Sequence, residues 1–544
     1  MSDLALWEVR NGVGHVALNQ SERGNMTQRA HSALNELVIG SILTTAAHRY
    51  GDNEAFFCST TGRRIGFKAL NARCNRLVNA LQTQGLQQGE CIAFLASNRT
   101  EMVEIYFALA KGGYIGMPLN YRLAPGEMHA LMKDVNAAGL LFEDKFADAA
   151  LQACTSLPSL RTRVSFGESG LRATGVQDYE ALIAQANADE PSVVVHEHDP
   201  YYYNLTSGTT GTPKCYVISH YNNASLSNMS MALDITSQDV VLTVIPMYGR
   251  IGFLWMAISV MYGIRNVLVN FAPDEALHLI AQERVTVSNL VPTMAAMMLA
   301  SAKLPKYDLS SLRALVFAGS LLPAPVREGS IAKLCPQLYE YYGMQESSAL
   351  VMSTPADRKL RADSVGRTLL FCEVRVVDVD GNDMPHGEVG AIMGRTPGAV
   401  VAYYNNPEKS AETFVNGWLH TGDLGSLDEE GFLFIKGRLK DLIVTGGQNV
   451  HAGEVEEAII GLPGVADCAV IGLNDPLWGE AVTAVVVPQP GAQIDEAAVI
   501  AHCKQTLAGF KTPKRVITQP DALPRTPTGK VQKFLLVRKF ESTH

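Results

Sequence analysis

The sequence predicts an α/β fold: a large N-terminal domain of parallel α/β subdomains plus a β region, followed by a small α+β C-terminal domain. Three observations predict it. From residue 35 to about 190, helical patterns such as 67–84 alternate with short apolar runs such as 91–95 and 139–142, and strands alternating with helices imply parallel sheets covered on both faces. Beyond Ser364 the periodicity shortens to alternating strands with Gly and Pro turns, which reads as mostly antiparallel β structure running to Phe434. After the charged stretch Gly437-Arg438-Leu439-Lys440-Asp441 comes a compact pattern of helix 452–460, strand 467–473, strand 481–487 and helix 494–507. At 544 residues the chain exceeds one ordinary core. The expected divisions are an N-terminal extension over 1–36, a large domain over 37–438 and a small domain over 439–544.

Within the extension, residues 7–19 read as a hairpin with Asn11-Gly12 at its turn, either an accessory element or the product of an upstream start with Met26 as the alternative. The apolar runs 239–246, 285–292 and 312–319 end on small or turn residues, as do the ligand-facing strand ends of open α/β sheets. The uncharged run 251–264 is interrupted by glycines and is too short for a membrane span, so it reads as a buried helix. A net charge of −9 with no Lys/Arg cluster argues against a nucleic-acid partner and for a small-molecule substrate. Nine scattered cysteines with no C-x-x-C pair read as reduced thiols, and the opening residues lack a signal peptide. A cytoplasmic protein is expected.

One loop carries the strongest chemical signal: Thr206-Ser207-Gly208-Thr209-Thr210-Gly211-Thr212-Pro213-Lys214, set between two strand-like runs. Gly208 and Gly211 free backbone N–H groups to turn toward a ligand, the hydroxyls donate, and Lys214 adds positive charge, which together make a phosphate cradle. The spacing is not that of the common P-loop, and Cys215 follows the lysine where a metal-binding hydroxyl would stand. A cation must therefore be held elsewhere.

Four further motifs follow. Tyr339-Glu340-Tyr341-Tyr342-Gly343-Met344-Gln345-Glu346 offers aromatic rings to a purine and a carboxylate to a cation near its phosphates. Gly417-Trp418-Leu419-His420-Thr421-Gly422-Asp423 presents a carboxylate suited to the two hydroxyls of a ribose. Gly437-Arg438 with Lys440-Asp441 is a charged linker, and Pro524-Arg525-Thr526-Pro527-Thr528-Gly529-Lys530 holds one lysine on a rigid turn.

In this order and spacing the motifs closely resemble the adenylate-forming superfamily of acyl-CoA synthetases, adenylation domains and luciferases, and within it the acyl- and aryl-CoA ligases. The resemblance covers nearly everything from residue 35 onward. It implies a two-step reaction. The carboxylate of an acid attacks the α-phosphate of ATP to give an acyl-adenylate and pyrophosphate, and the thiol of coenzyme A then takes the acyl group. By resemblance, Thr206, Ser207, Gly208, Thr209, Thr210, Gly211 and Lys214 hold the β- and γ-phosphates. Lys530 bridges acyl carboxylate and α-phosphate, and Glu346 carries Mg²⁺. Asp423 and Arg438 hold the ribose, while Gly319, Ser320, Tyr341, Tyr342, Gly343, Met344 and Gln345 complete the nucleotide site. Lys440 takes the hinge position of a C-terminal domain that rotates between the steps. Gly446 and Gly447 border the pantetheine tunnel, and Lys511 and Lys514 supply charge for the CoA phosphates.

The chain departs from the family pattern at three points. In Pro246-Met247-Tyr248-Gly249-Arg250-Ile251-Gly252, Gly249 stands where a histidine is usual, which enlarges the acyl pocket or alters its gate. Arg250 beside it is read first as a solvent-facing rim residue and second as a partner for a polar group on the substrate. Gln345 replaces a threonine but keeps hydrogen-bonding capacity, and Ala452 replaces a frequent proline and should loosen its loop. A pocket walled by Tyr248, Gly249, Arg250, Ile251, Ser348 and Ala349 suits a bulky aromatic or alicyclic acid or a medium acyl chain. Two other functions stand beside a CoA ligase: an acyl-AMP ligase that loads a carrier-protein phosphopantetheine, and a catalytically silent ligand-binding homologue. A homodimer is left open.

Overall fold

The computed structural model describes residues 36–168, 171, 173–206, 214–224, 227–320, 322–446, 448–525 and 530–541. The hairpin expected over 7–19 lies outside them, as do Ser207, Gly208, Thr209, Thr210, Gly211 and Gly447. All that follows lies in one compact unit, Val38–His544.

Residues 54–368 build two mostly parallel sheets. One has seven strands, ordered Gln177–Asp178, Thr162–Phe166, Gly139–Glu143, Cys91–Leu95, Ile115–Pro118, Pro200–Thr206 and Lys214–Ser219. Every residue of Cys91–Leu95 and Gly139–Glu143 is buried, as expected for parallel strands covered on both faces. Only the last pair runs antiparallel, with Thr206 opposite Lys214, so the strands on either side of the predicted phosphate loop are partners.

The nine-stranded sheet sets Val240–Thr243, Val287–Leu290, Ala314–Phe317 and Leu338–Met344 side by side in parallel, and Ser348–Ser353 then returns antiparallel. Three of these strands are the runs singled out by sequence, trimmed to the residues that make ladder bonds. Helix Phe67–Thr83 buries Phe67, Leu70, Cys74, Leu77, Val78 and Leu81, the three- and four-residue spacing of one helix face. Helix Arg250–Tyr262 is buried almost all round, which explains its lack of charge after Arg250, and it stops at Gly263 in the left-handed region (φ 68°).

The predicted β region forms an antiparallel five-stranded sheet from Glu373–Val377, Gly390–Arg395, Phe414–Val415, Trp418–Leu427 and Leu433–Arg438. A one-turn 3₁₀ segment, Leu439–Asp441, leads from it into a five-stranded C-terminal sheet built on Leu442–Thr445, Gln448–His451, Val465–Asp475, Gly479–Pro488 and Arg515–Thr518. Helices Ala452–Ile460 and Glu496–Thr506 pack on that sheet through Val455, Ile459, Val499 and Cys503. All nine cysteines are buried and free. Among the described residues no helix is long and apolar enough to cross a membrane.

Candidate active site

Glu346 stands at the tip of the hairpin between Leu338–Met344 and Ser348–Ser353. Closure of that hairpin dictates glycine at 343, because a Cβ there would lie 1.9 Å from the Ser348 carbonyl oxygen. Ser348 itself turns at φ 63°. The Ser347 hydroxyl accepts from the Met344 N–H at 3.0 Å and donates to the Ser348 carbonyl at 2.8 Å, so the turn is tied internally.

The turn is also tied from outside. Glu346 is only 5% exposed. Its Oε1 accepts from the Tyr403 hydroxyl at 2.7 Å, and its carbonyl accepts from the Val400 N–H at 2.8 Å. The Gln345 carboxamide oxygen lies 3.4 Å from the hydroxyl of Tyr216, two residues along the strand from Lys214. Asn222 donates to the Pro397 and Ala399 carbonyls at 3.0 and 2.9 Å, fixing the loop that carries Val400 and Tyr403.

Arg250 corrects the sequence reading of a solvent-facing rim arginine. It is 3% exposed. Its Nη1 donates to the Gln345 carbonyl at 2.6 Å and its Nη2 to the Gly398 carbonyl at 2.5 Å. The physical reason is that both loops bring carbonyls into a space closed to water, where each needs a donor.

The ribose-type carboxylate is assembled on neighbouring strands. Asp423 pairs in register with Arg438 and lies 3.0 Å from its Nε, while Asp423 Oδ2 accepts from the Tyr342 hydroxyl at 2.8 Å. Burial pushes that hydroxyl well above its ordinary pKa, and the Asp423 carboxylate adds to the shift. Tyr341 goes the other way, with its hydroxyl 3.3 Å from Asn289 Oδ1, an oxygen that also accepts from Trp255 Nε1 at 2.9 Å. Successive strand residues point to opposite faces. The structure therefore splits the aromatic pair: Tyr342 belongs with Asp423, and Tyr341 with the wall behind helix Arg250–Tyr262.

Lys530 arrives from the C-terminal domain. Enclosure of its ammonium group lowers its pKa to about 8, Arg438 and Lys440 act in the same direction, and the Asp423 and Glu346 carboxylates oppose them. The charges felt by this lysine from the end of the chain are thus those of two carboxylates and an arginine of the large domain and of the linker residue Lys440. Charge added to this cluster meets a preset field.

Tyr248 is 8% exposed and meets Tyr121 edge-on, with ring centroids 5.3 Å apart; Tyr121 stacks on Phe146. Next to it Gly249 caps helix Arg250–Tyr262, and a Cβ there would meet nothing nearer than the Pro246 carbonyl at 3.6 Å. Ile251 and Ser348 are half-buried and Ala349 is buried. Gly319, at φ 90°, and the exposed Ser320 follow strand Ala314–Phe317.

On the C-terminal domain Gly446 is held by Trp478, whose carbonyl accepts its N–H at 2.7 Å and whose ring would lie 2.9 Å from a Cβ. Sequence reasoning passed over Trp478. It is 41% exposed, beside a 79%-exposed Leu477, with the Lys514 ammonium 4.8 Å above its ring. Lys511 is instead paired with Glu454 at 2.7 Å. Ala452 is 3% exposed and is the first residue of helix Ala452–Ile460.

Glu346 suits magnesium. The ion usually binds through one or two carboxylates plus substrate phosphates rather than a dedicated protein cage, and among the described residues no group of three or more His, Cys, Asp or Glu forms such a cage. A single carboxylate locked by Tyr403 fits that requirement.

Residues 43–404 match the family model of AMP-binding enzymes, and residues 454–530 that of the AMP-binding enzyme C-terminal domain. The chain is 32% identical to the long-chain-fatty-acid–CoA ligase FadD13 of Mycobacterium tuberculosis over 90% of its own length and 96% of the relative's. It is 34% identical to the indoleacetate–CoA ligase of Aromatoleum aromaticum, over 87% and 92% of the two chains. It is 31% identical to the fatty acid–[acyl-carrier-protein] ligase ScoC of Streptomyces coeruleorubidus, over 92% and 96%. ATP-bound MatB from Rhodopseudomonas palustris superposes with a TM-score of 0.86 at 30% identity, covering 94% of this chain and all of that one, whereas its apo form gives 0.74. With both family models matched in order and relatives aligned along nearly their full lengths, the chain belongs to the AMP-binding, adenylate-forming enzyme family.

Proposed function

We propose that this chain, an AMP-forming acid–thiol ligase, activates a bulky aromatic or alicyclic acid, or a medium acyl chain, and passes the acyl group to coenzyme A. One observation carries the reading: Lys530 of the C-terminal domain lies among Glu346, Asp423 and Arg438, a cluster suited to a nucleotide α-phosphate and an incoming carboxylate. In the first step a carboxylate oxygen bonds to the α-phosphorus and the bond to pyrophosphate breaks. Lys530, still largely protonated at neutral pH, donates to both anions and counters charge that grows as they meet. Asp423 and Arg438 orient the ribose, with Tyr342 fixing Asp423. Lys214 and the loop before it steady the leaving pyrophosphate. Magnesium, when bound, neutralises phosphate charge and is held on the protein side by Glu346.

In the second step the CoA thiol attacks the acyl carbonyl, the bond to AMP breaks, and a thioester forms. Lys440, exposed in the 3₁₀ turn Leu439–Asp441, is the hinge at which the C-terminal domain turns to bring Gly446 and Gly447 to the site. The higher TM-score against the ATP-bound than the apo MatB structure supports reading the present arrangement as that of the first step. The Lys514–Trp478 pair offers a cation and an aromatic face to the CoA nucleotide. Stacking on such a face is worth about 1–3 kcal/mol. Trp478→Ala is therefore expected to raise the KM for CoA about tenfold, with ATP–pyrophosphate exchange unaltered; an unchanged KM would remove Trp478 from the CoA site.

Pocket size follows from Gly249. Gly249→His is expected to fold, because its Cβ has room, at a cost of about 1 kcal/mol from the altered N-cap. It should lower kcat/KM for bulky acids at least about tenfold relative to small ones, since misfit in a packed pocket costs about 1–3 kcal/mol. An unchanged ranking of acids would place the acyl pocket elsewhere.

An acid panel assayed for pyrophosphate and AMP release, with and without CoA, tests the whole reading. AMP release that requires CoA is expected. No release with any acid would point to a silent homologue. Release insensitive to CoA but stimulated by a phosphopantetheinylated carrier protein would move the acceptor to the class named for ScoC.

A further inference from the structure

We propose that Arg250 is a positioning residue for the metal-binding carboxylate: by clamping the Gln345 and Gly398 carbonyls together it locks the hairpin tip to the loop bearing Val400 and Tyr403, and so fixes Glu346 in one orientation. The proposal rests on the reading that Glu346 holds magnesium.

The geometry is a closed circuit. Arg250 Nη1 holds the residue just before Glu346, at 2.6 Å, and Nη2 holds Gly398, at 2.5 Å. From the Gly398 side the loop returns to Glu346 twice, through the Val400 N–H to its carbonyl and the Tyr403 hydroxyl to its Oε1. Asn222 pins the same loop at Pro397 and Ala399, so the loop is a fixed abutment against which Arg250 pulls the hairpin. Strand Lys214–Ser219 braces the assembly, Tyr216 bridging to Tyr403 and approaching Gln345.

Arginine is the residue this task needs. Its planar guanidinium carries several donors in a rigid fork and can span two carbonyls at once. The cost is evident. A guanidinium 3% exposed makes no ion pair among the described residues, and its Nε has no hydrogen-bond partner. Burying a cation without a counter-charge is unfavourable, and hydrogen bonds of good geometry must offset the lost hydration. Here they orient a carboxylate. Groups that orient metal ligands from behind typically contribute 10–100-fold to metal affinity.

The test measures the metal directly. Mn²⁺ binding to the enzyme saturated with α,β-methylene-ATP, whose α–β bridge cannot be cleaved, is followed by electron paramagnetic resonance for the wild type, Glu346→Gln, Arg250→Met, Arg250→Lys and Tyr403→Phe, with melting curves for each. Arg250→Met is expected to weaken Mn²⁺ about 10-fold, Tyr403→Phe to weaken it several-fold, and Arg250→Lys to recover part of the loss by serving one carbonyl. A folded Arg250→Met protein with wild-type Mn²⁺ affinity, whatever its melting temperature, overturns the proposal. Should Arg250→Met not fold, wild-type affinity in both Arg250→Lys and Tyr403→Phe overturns it equally. Weak binding in Glu346→Gln with normal binding in the Arg250 variants sinks the clamp alone, whereas normal binding in Glu346→Gln sinks the magnesium assignment beneath it.

Discussion

Replacement of Lys530 by alanine is expected to lower acyl-adenylate formation about 10²–10³-fold, the scale for removing one donor aimed at developing charge, while thioester formation from a supplied acyl-adenylate stays near the wild-type rate. The asymmetry follows from where the lysine sits. In the present arrangement its ammonium feels the charges of Glu346, Asp423 and Arg438, the groups proposed to surround the first reaction, and on that proposal rotation at Lys440 carries it away before the second. Equal loss in both half-reactions would refute the role. The lowered pKa adds a pH signature. Because the active form is the protonated one, and because enclosure and the Arg438 charge bring the pKa down to about 8, kcat/KM for ATP should fall as pH rises through about 8. Bound phosphates stabilise the ammonium, so the corresponding fall in kcat should lie at higher pH. Coincident limbs in the two profiles would argue that Lys530 does not face the phosphates.

Much of the fold was open to a reader of the sequence, and the reasons differ by element. Helix Ala452–Ile460 and strand Cys91–Leu95 came out with their predicted bounds because local pattern alone determines them: one amphipathic face in the first, an uninterrupted apolar run in the second. The run 239–246 shrank to Val240–Thr243, because hydropathy continues past the last ladder bond into the turn before helix Arg250–Tyr262. The order of the site motifs was legible only through family resemblance, since nothing local tells Asp423 that Arg438 will lie opposite or that Lys530 will reach both. Arg250 was misread for a related reason. Its partners lie 95 and 148 residues away and are carbonyl oxygens, which carry no signal in side-chain identity. Tyr403 and Trp478 were missed likewise, the first because an aromatic in a loop reads as packing, the second because exposure is not encoded locally. Tyr341 and Tyr342 were treated as one aromatic surface although strand alternation alone would have separated them.

Gly343→Ala should be the most damaging small substitution in the large domain. Its added methyl would lie 1.9 Å from the Ser348 carbonyl oxygen, which is backbone and cannot rotate aside. Ser348 is already at φ 63° and its carbonyl is held by the Ser347 hydroxyl, so relief requires the hairpin strands to separate. Overpacking of this kind costs about 1–3 kcal/mol of stability. The larger effect is on chemistry: separating the strands moves Glu346 against its ties to Tyr403 and Val400 and Gln345 against Arg250, and a displacement near 1 Å at a reacting centre can cost about 10² in rate. ATP–pyrophosphate exchange is therefore expected to fall at least about 100-fold in protein that still folds, as judged by denaturant titration. Gly126→Ala, in helix Pro125–Asp134 of the same domain, is the matched control, because its methyl meets nothing within 4 Å. Wild-type exchange in Gly343→Ala would mean that the hairpin tip tolerates movement and that Glu346 is not the residue whose position limits the first step. If instead both glycine variants lose activity alike, the damage would come from helix or strand stability rather than from the placement of the carboxylate.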